Sequence, residues 1–524
     1  MATLLRNAFL SIVFILTAMP VWSAEADQSA PKAPPAAASP RAKESPSSAA
    51  DGTVVTQHTI TLAGQKLSYT ATAGFIAITD DAGKVQANMF YVAYTRSGFE
   101  ASAPRPVTFA FNGGPGASSM WLHLGVGPKR VPLAADGTAL PNASVLTDNE
   151  ATWLDFTDLV FIDPVGTGYS RAADGVDAKQ FYEVSRDIQV AGSFVRRYIT
   201  RYERWLSPKF ILGESYGTTR AAGLVNRLQD AAGINMNGVI LVSSALDFQT
   251  FSFDPTNDLA YALVLPSYAA TAWYLKKLPG TQTGSLSDVL ERTEKWALND
   301  YLVALAKGDA LSDVERKRIV EQLAQYTGLA QDEIERNRLR VGPLRYGRRL
   351  LQDQHMMLGR FDGRVTSAMS GNSDYADSDP AFFLLTGPLV EALNHYLQNE
   401  LQYRSDLRYE FLSKEANRSW KFLSGGQGYL YMTDELAEAM SRDNRLRVFA
   451  AAGYYDLATP YLAQRYAFDH MGLAPDLRDH LTFLSYPTGH QIYTDPPSAR
   501  KLKRDVEAFV KCALSGEACK GLGR

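Results

Sequence analysis

Short apolar runs recur along this chain at residues 107–111, 159–162, 210–212, 239–242, 448–452 and 481–484. None alternates cleanly, the pattern of strands buried on both faces of a largely parallel sheet. Between them, residues 178–201 and 218–232 carry helical spacing, so the expected class is α/β, a mostly parallel central sheet flanked by helices. Ahead of these runs, β-rich segments at 53–62 and 66–72 flank Ala63-Gly64-Gln65. Segments 75–79 and 88–95 flank Asp80-Asp81-Ala82-Gly83-Lys84, and each arrangement signals a hairpin. From 248 to 444 no strand run of this kind occurs, and helical patterns dominate, most clearly at 285–307 and 312–326. The chain therefore divides into a core of two parts, 53–247 and 445–524, around a helical insertion or cap at 248–444.

The first residues have a different character. Arg6 and the amino terminus are followed by an apolar run of about fourteen residues and then Ala24-Glu25-Ala26. This predicts a secretory signal peptide at 1–26, with an uncleaved anchor as the alternative. Residues 27–52, rich in Ala, Pro and Ser, have nothing to bury and are expected to be a disordered linker. No later stretch reaches about 18 uninterrupted apolar residues, so the exported chain, periplasmic or secreted, is expected to have no stable membrane insertion.

Charge and composition narrow the functions. Among 524 residues, 53 Lys and Arg nearly balance 56 Asp and Glu, which leaves no electrostatic footprint for nucleic acid. Two cysteines, Cys512 and Cys519, are too few for a disulfide scaffold or a Cys-based zinc site. Export allows them to pair, and two free thiols are the alternative. The seven histidines are not paired at helical spacing, so no metal set and no cofactor is expected.

The chemistry lies in the loops at the strand ends. The run 210–212 leads into Gly213-Glu214-Ser215-Tyr216-Gly217 and then a helical pattern, which is G-x-S-x-G in a strand–turn–helix setting. The glycines allow a sharp turn that exposes the Ser215 hydroxyl, and the helix N-terminus favours developing negative charge. A nucleophilic serine needs a base and a group to orient it, in the chain order Ser, acid, His. His490 comes after the last strand in Tyr486-Pro487-Thr488-Gly489-His490, whereas His470 lies in an apparent helix and His480 precedes the strand. Asp456 is the only carboxylate in the loop after 448–452. It could instead cap the helix near Pro460, and Asp469 and Asp495 are weaker candidates because neither directly follows a strand. The run 107–111 ends in Asn112-Gly113-Gly114-Pro115-Gly116-Ala117-Ser118-Ser119. No Gly-Lys-Ser/Thr comes after it, so a phosphate loop fails, and an oxyanion loop fits better. The Gly114 and Tyr216 amides are then the expected oxyanion donors.

These motifs together resemble the serine carboxypeptidases, peptidase family S10. Asn112–Ser119 is similar to that family's oxyanion signature, with Ala117 where many members carry Cys. Asp163-Pro164-Val165-Gly166-Thr167-Gly168-Tyr169-Ser170 is similar to its second signature, and Gly213–Gly217 to its nucleophile motif. The resemblance implies an α/β-hydrolase fold and release of C-terminal amino acids from peptides with a free C-terminus, often at acidic pH. It assigns Ser215, Asp456 and His490 as the catalytic triad, and Asn112 and Glu214 as ligands of the substrate's terminal carboxylate. That last role requires a protonated Glu214, because an ionised one would repel the substrate. The other possibility for Glu214 is a buried residue that stabilises the turn.

Two departures stand out. The family commonly has a second Glu before a downstream Gly-Pro pair, but Leu122-His123-Leu124-Gly125-Val126-Gly127-Pro128 has no carboxylate. That places the acidic-pH peptidase behaviour in question and leaves an esterase or acyltransferase on the same triad as the alternative. Secreted eukaryotic members are also cysteine-rich, so two cysteines favour a bacterial exported type. In the insertion, Arg360-Phe361-Asp362-Gly363-Arg364 is a compact polar cluster, expected as a surface ion-pair turn or, alternatively, as a device holding a cap over the site.

Overall fold

Uninterrupted apolar runs produce strands that are covered on both sides. In the computed structural model β4 (Val107–Phe111), β7 (Asp158–Ile162), β9 (Lys209–Glu214), β10 (Gly238–Val242) and β13 (Arg447–Gly453) are buried along their whole length. Only β14 (Leu481–Tyr486), at the sheet edge, is partly open. The remaining strands are β1 (Val54–Leu62), β2 (Gln65–Thr79), β3 (Val85–Arg96), β5 (Lys129–Arg130), β6 (Thr147–Asp148), β8 (Arg171–Ala172), β11 (Met356–Leu358) and β12 (Thr366–Ala368). The structure describes residues 52–98, 104–134, 137–140, 145–280, 284–369, 379–423, 428–516 and 519. The expected signal peptide, and the linker apart from Gly52, lie outside the described residues. All described residues fall in the unit from Pro46 to Arg524.

The main sheet has the order β1-β2-β3-β7-β4-β9-β10-β13-β14, with β8 paired to β3. β1, β2 and β3 are antiparallel, and the strands from β7 to β14 are parallel. The sequence suggests two separate runs at 66–72 and 75–79. They form one strand, β2, because Gly74 continues the pairing opposite Tyr91. One face of the sheet packs on the helices Val184–Arg201, Tyr216–Ala232 and Thr433–Arg442. The other packs on Met120–Val126, Pro380–His395 and Pro496–Ser515. Alternate side chains of a strand serve the two faces, as Leu159 and Phe161 do against Val160 and Ile162.

The interval 248–444 is mainly helical, with two differences from the sequence expectation. The helical run at 285–307 is interrupted by a π turn at Ala297–Tyr301. A small antiparallel hairpin, β11–β12, also lies within the interval, its strands too short at three residues each to produce an apolar run. Isolated bridges join the interval to the core at Ala117–Leu412, Gly168–Glu410, Glu183–Lys421 and Asp247–Tyr431. Cys512 and Cys519 form a disulfide. Among the described residues no helix is long and apolar enough to cross a membrane.

Candidate active site

Asn112, Gly114, Glu214, Ser215, Tyr216, Asp456 and His490 all sit at the carboxyl ends of the parallel strands, where an open α/β sheet offers its crevice. Ser215 lies between β9 and the helix Tyr216–Ala232, with φ 58° and ψ −129°. A non-glycine residue rarely adopts positive φ, and the surroundings hold it here. Its amide donates to Val242 O at 2.9 Å. A Cβ at Gly213 would overlap Gly217 O, and one at Gly217 would overlap Phe111 O. The two glycines thus allow strand, turn and helix to close on one another, leaving Ser215 part-exposed while Glu214 and Tyr216 are buried.

The Gly113–Gly114 loop rests directly on this turn. A Cβ at Gly113 would fall 2.5 Å from Tyr216 N and 2.8 Å from Ser215 Cβ. The segments carrying the two candidate oxyanion donors, Gly114 and Tyr216, are therefore in backbone contact. Gly114 has φ 101°, which glycine alone adopts without strain.

Asp456 and His490 come together from the loops after β13 and β14. His490 Nδ1 lies 2.7 Å from Asp456 Oδ2, and both residues are almost wholly buried. Asp456 Oδ1 accepts from the amides of Ala458 at 2.7 Å and Thr459 at 2.9 Å, and Oδ2 accepts from Thr459 Oγ1 at 2.8 Å. Asp456 thus orders its own loop and faces the imidazole as well, while the helix from Tyr461 has Pro460 at its N-cap. Burial pulls the His490 pKa down, but the Asp456 carboxylate outweighs it, so the net shift is upward. Among the described residues His490 Nε2 has no hydrogen-bond partner, and it stands 3.8 Å from Glu214 Oε1. The rival acids lie elsewhere: Asp469 is exposed, and Asp495 caps the helix Pro496–Ser515. His470 is exposed, and His480 is part-buried against Arg447.

Glu214 and Asn112 meet beside this pair. Asn112 Nδ2 donates to Glu214 Oε2, and Asn112 Oδ1 accepts from Leu122 N at 3.0 Å. A third member, unforeseen from sequence, is Tyr493, whose hydroxyl donates to the same Oε2 at 2.5 Å. Its ring covers Gly125, where a Cβ would fall 2.7 Å from Tyr493 Cγ, so an aromatic ring fills the space beside the segment that lacks a carboxylate. Burial raises the Glu214 pKa, and His490, Tyr493 and Asn112 only partly oppose it, while Asp456 adds to it. In a protonated Glu214 the two donors on Oε2 would leave the proton to Oε1. Arg220, also missed from sequence, is fully buried on the helix after Ser215. It pairs with Asp187 at 2.8 Å and donates to Asn112 O at 3.0 Å. Its only sequence signal is a charged residue directly before the apolar run Ala221-Ala222-Gly223-Leu224-Val225.

Known proteins share part of this arrangement. The serine carboxypeptidase (peptidase S10) family pattern matches residues 62–291, a span that holds the Asn112, Asp163 and Ser215 motifs and ends before Asp456 and His490. Over that span the chain is similar to the serine carboxypeptidase family. Among sequence relatives, serine carboxypeptidase-like 29 of Arabidopsis thaliana is 27% identical over 191 residues, 34% of this chain and 37% of that protein. The pheromone-processing carboxypeptidase KEX1 of Saccharomyces cerevisiae is 33% identical over 156 residues, 28% of this chain and 20% of that protein. The chain thus spans well under two thirds of the relatives it matches. The crystal structure of a prohormone-processing KEX1 carboxypeptidase from S. cerevisiae covers 84% of this chain and 91% of its own, with a TM-score of 0.52 and 17% identity. That similarity is one of fold, and the chain has the α/β-hydrolase fold.

Proposed function

We propose that this protein is a serine-type carboxypeptidase that releases C-terminal amino acids from peptides through an acyl-enzyme. Ser215 Oγ attacks the carbonyl of the last peptide bond while His490 Nε2 takes its proton. Asp456 stabilises the resulting imidazolium, and the Gly114 and Tyr216 amides receive the oxyanion. His490 then gives the proton to the departing amino acid, and water attacks the ester by the same route in reverse. Asn112 and the protonated Oε1 of Glu214 read the terminal carboxylate. The observation that carries this reading is the buried Glu214, held by two donors on one oxygen and standing 3.8 Å from His490 through the other. A plain esterase has no use for such a group beside its nucleophile. The division into a core and a cap at 248–444 belongs to the same proposal. Export, most simply to a bacterial periplasm, is supported by the N-terminal sequence pattern and by the Cys512–Cys519 disulfide.

The test compares a blocked dipeptide with its C-terminal amide across pH, in wild type, Ser215→Ala and Glu214→Gln. Ser215→Ala is expected to lose about four to six orders of magnitude in kcat. His490 acts as a base only when neutral, so kcat rises as pH climbs through its raised pKa. Glu214 reads an anion only when protonated, so KM for the free acid rises as pH climbs through its own raised pKa. Glu214→Gln is expected to abolish the second dependence and keep the first. Equal rates on acid and amide would sink the carboxypeptidase reading, and turnover of a small ester with no amino acid released from the peptide would favour the esterase.

A further inference from the structure

The cluster Arg360–Arg364 is the tip of the β11–β12 hairpin, and it is not the surface turn expected from sequence. Asp362 and Arg364 are buried, Arg364 at 9% exposure. The tip lies between the two loops that carry the acid and the base. Toward the base, the His490 amide donates to Phe361 O at 2.6 Å and the Gly489 amide to Asp362 Oδ2 at 3.0 Å. Arg364 Nη1 donates to Pro487 O at 3.1 Å, and its Nη2 to Thr488 Oγ1 at 3.0 Å. Toward the acid, the Leu457 amide donates to Arg360 O at 2.9 Å and the Gly363 amide to Tyr455 O at 3.0 Å. The guanidinium is itself fixed between Asp362 at 2.7 Å and Asp495 at 3.1 Å. There is no slack around it: a Cβ at Gly489 would overlap Asp362, and one at Gly363 would overlap Thr271 Oγ1.

All four residues from Pro487 to His490 therefore hydrogen-bond to the hairpin. We propose that Arg364 is a positioning residue for His490, and that the hairpin tip is a strap by which the insertion sets the imidazole against Asp456. The strap bypasses the substrate and acts through orientation alone, where an error near 1 Å costs on the order of 100-fold. This inference rests on the reading of Ser215 as nucleophile and His490 as base. The charged groups facing His490 are Asp456, Glu214 and Arg360. Substitution at 364 leaves all three in place.

The experiment measures the rate at which a fluorophosphonate labels Ser215, against pH, in wild type, Arg364→Met, Arg364→Lys and Glu333→Gln. Glu333 is an equally buried insertion carboxylate that binds Arg336, Arg345 and Asn337 but no active-site residue. Arg364→Met is expected to label about 100-fold more slowly. Its apparent pKa falls as the Asp456 partnership loosens, and the low-field His490 Nδ1 proton resonance is lost. Arg364→Lys recovers part of the rate. Glu333→Gln lowers the melting temperature without moving labelling, pH profile or resonance. Wild-type labelling and pH profile in Arg364→Met would overturn the proposal, and so would equal slowing in Glu333→Gln. Should Arg364→Met fail to fold, Arg364→Lys and Thr488→Val carry the test, and wild-type rates in both would overturn it. If wild type itself does not label, the nucleophile reading has failed, and the strap is judged by the resonance: its persistence in the Arg364 variants overturns the strap.

Discussion

The role proposed for Glu214 requires it to be buried, uncharged and within reach of an anion at the same time, and its neighbours bear on each demand. Desolvation favours the protonated acid, and the two donors on Oε2 direct its proton to Oε1. Tyr493→Phe keeps the ring over Gly125 and removes only one donor. Its expected effect is a rise in KM for free-acid peptides of roughly fivefold, the worth of about one net hydrogen bond. Turnover of a small ester should not change. Because that donor opposed protonation, its loss raises the Glu214 pKa further and moves the fall in affinity to higher pH. A KM–pH profile identical to wild type would show that the hydroxyl is incidental. That Ser215, Asp456 and His490 lie at the carboxyl ends of their strands was legible in the sequence because each stands in the turn or loop after an apolar run, so chain position stands in for spatial position. Tyr493 was not, because its role depends on the space beside Gly125, 368 positions earlier in the chain.

At the scale of elements, the site depends on how closely strand, turn and helix approach around Ser215. A methyl at Gly217 would overlap Phe111 O and come within 2.9 Å of Asn112 O, backbone atoms of the neighbouring strand end that cannot rotate aside. Gly217→Ala is therefore expected to destabilise the protein by about 1–3 kcal/mol, the usual cost of overpacking. It should also disturb the oxyanion segment, so fluorophosphonate labelling is lost in protein that still melts cooperatively. Urea melts and labelling on one preparation check both halves, and full labelling with wild-type stability would refute the close-approach argument. The parallel strands were visible in sequence because burial on both faces requires an uninterrupted apolar run. The β11–β12 hairpin was not, since its three-residue strands are held by their tip's contacts with the base and acid loops. For the same reason Arg360–Arg364 resembled a surface turn: local charge density says nothing of which loop will cover it.

Across the whole molecule, residues 248–444 are joined to the sheet and its loops at several separated points, and one of these contacts involves a buried carboxyl group, Asp163. Asp163, at the end of β7, accepts from the Ser119 amide and hydroxyl, both at 2.8 Å, and from Tyr409 Oη at 3.3 Å. It thereby connects the sheet, the helix after the oxyanion loop and a residue of the insertion. Burial raises its pKa from 3.8 to about 6, against the pull of these hydrogen bonds. The folded state then binds the proton more tightly than the unfolded chain does. The contribution is fully present below about pH 4 and is lost as pH rises through about 6, a change of about 3 kcal/mol over that window. Asp163→Asn keeps an acceptor for Ser119 and Tyr409 but cannot ionise. Its unfolding free energy relative to wild type should therefore rise steadily between pH 4 and pH 7, measured by urea melts at matched ionic strength. A constant difference across that range would mean that Asp163 does not change its protonation on folding. A rising difference would mean that the joint between the core and residue 409 tightens in acid, where Glu214 also holds its proton.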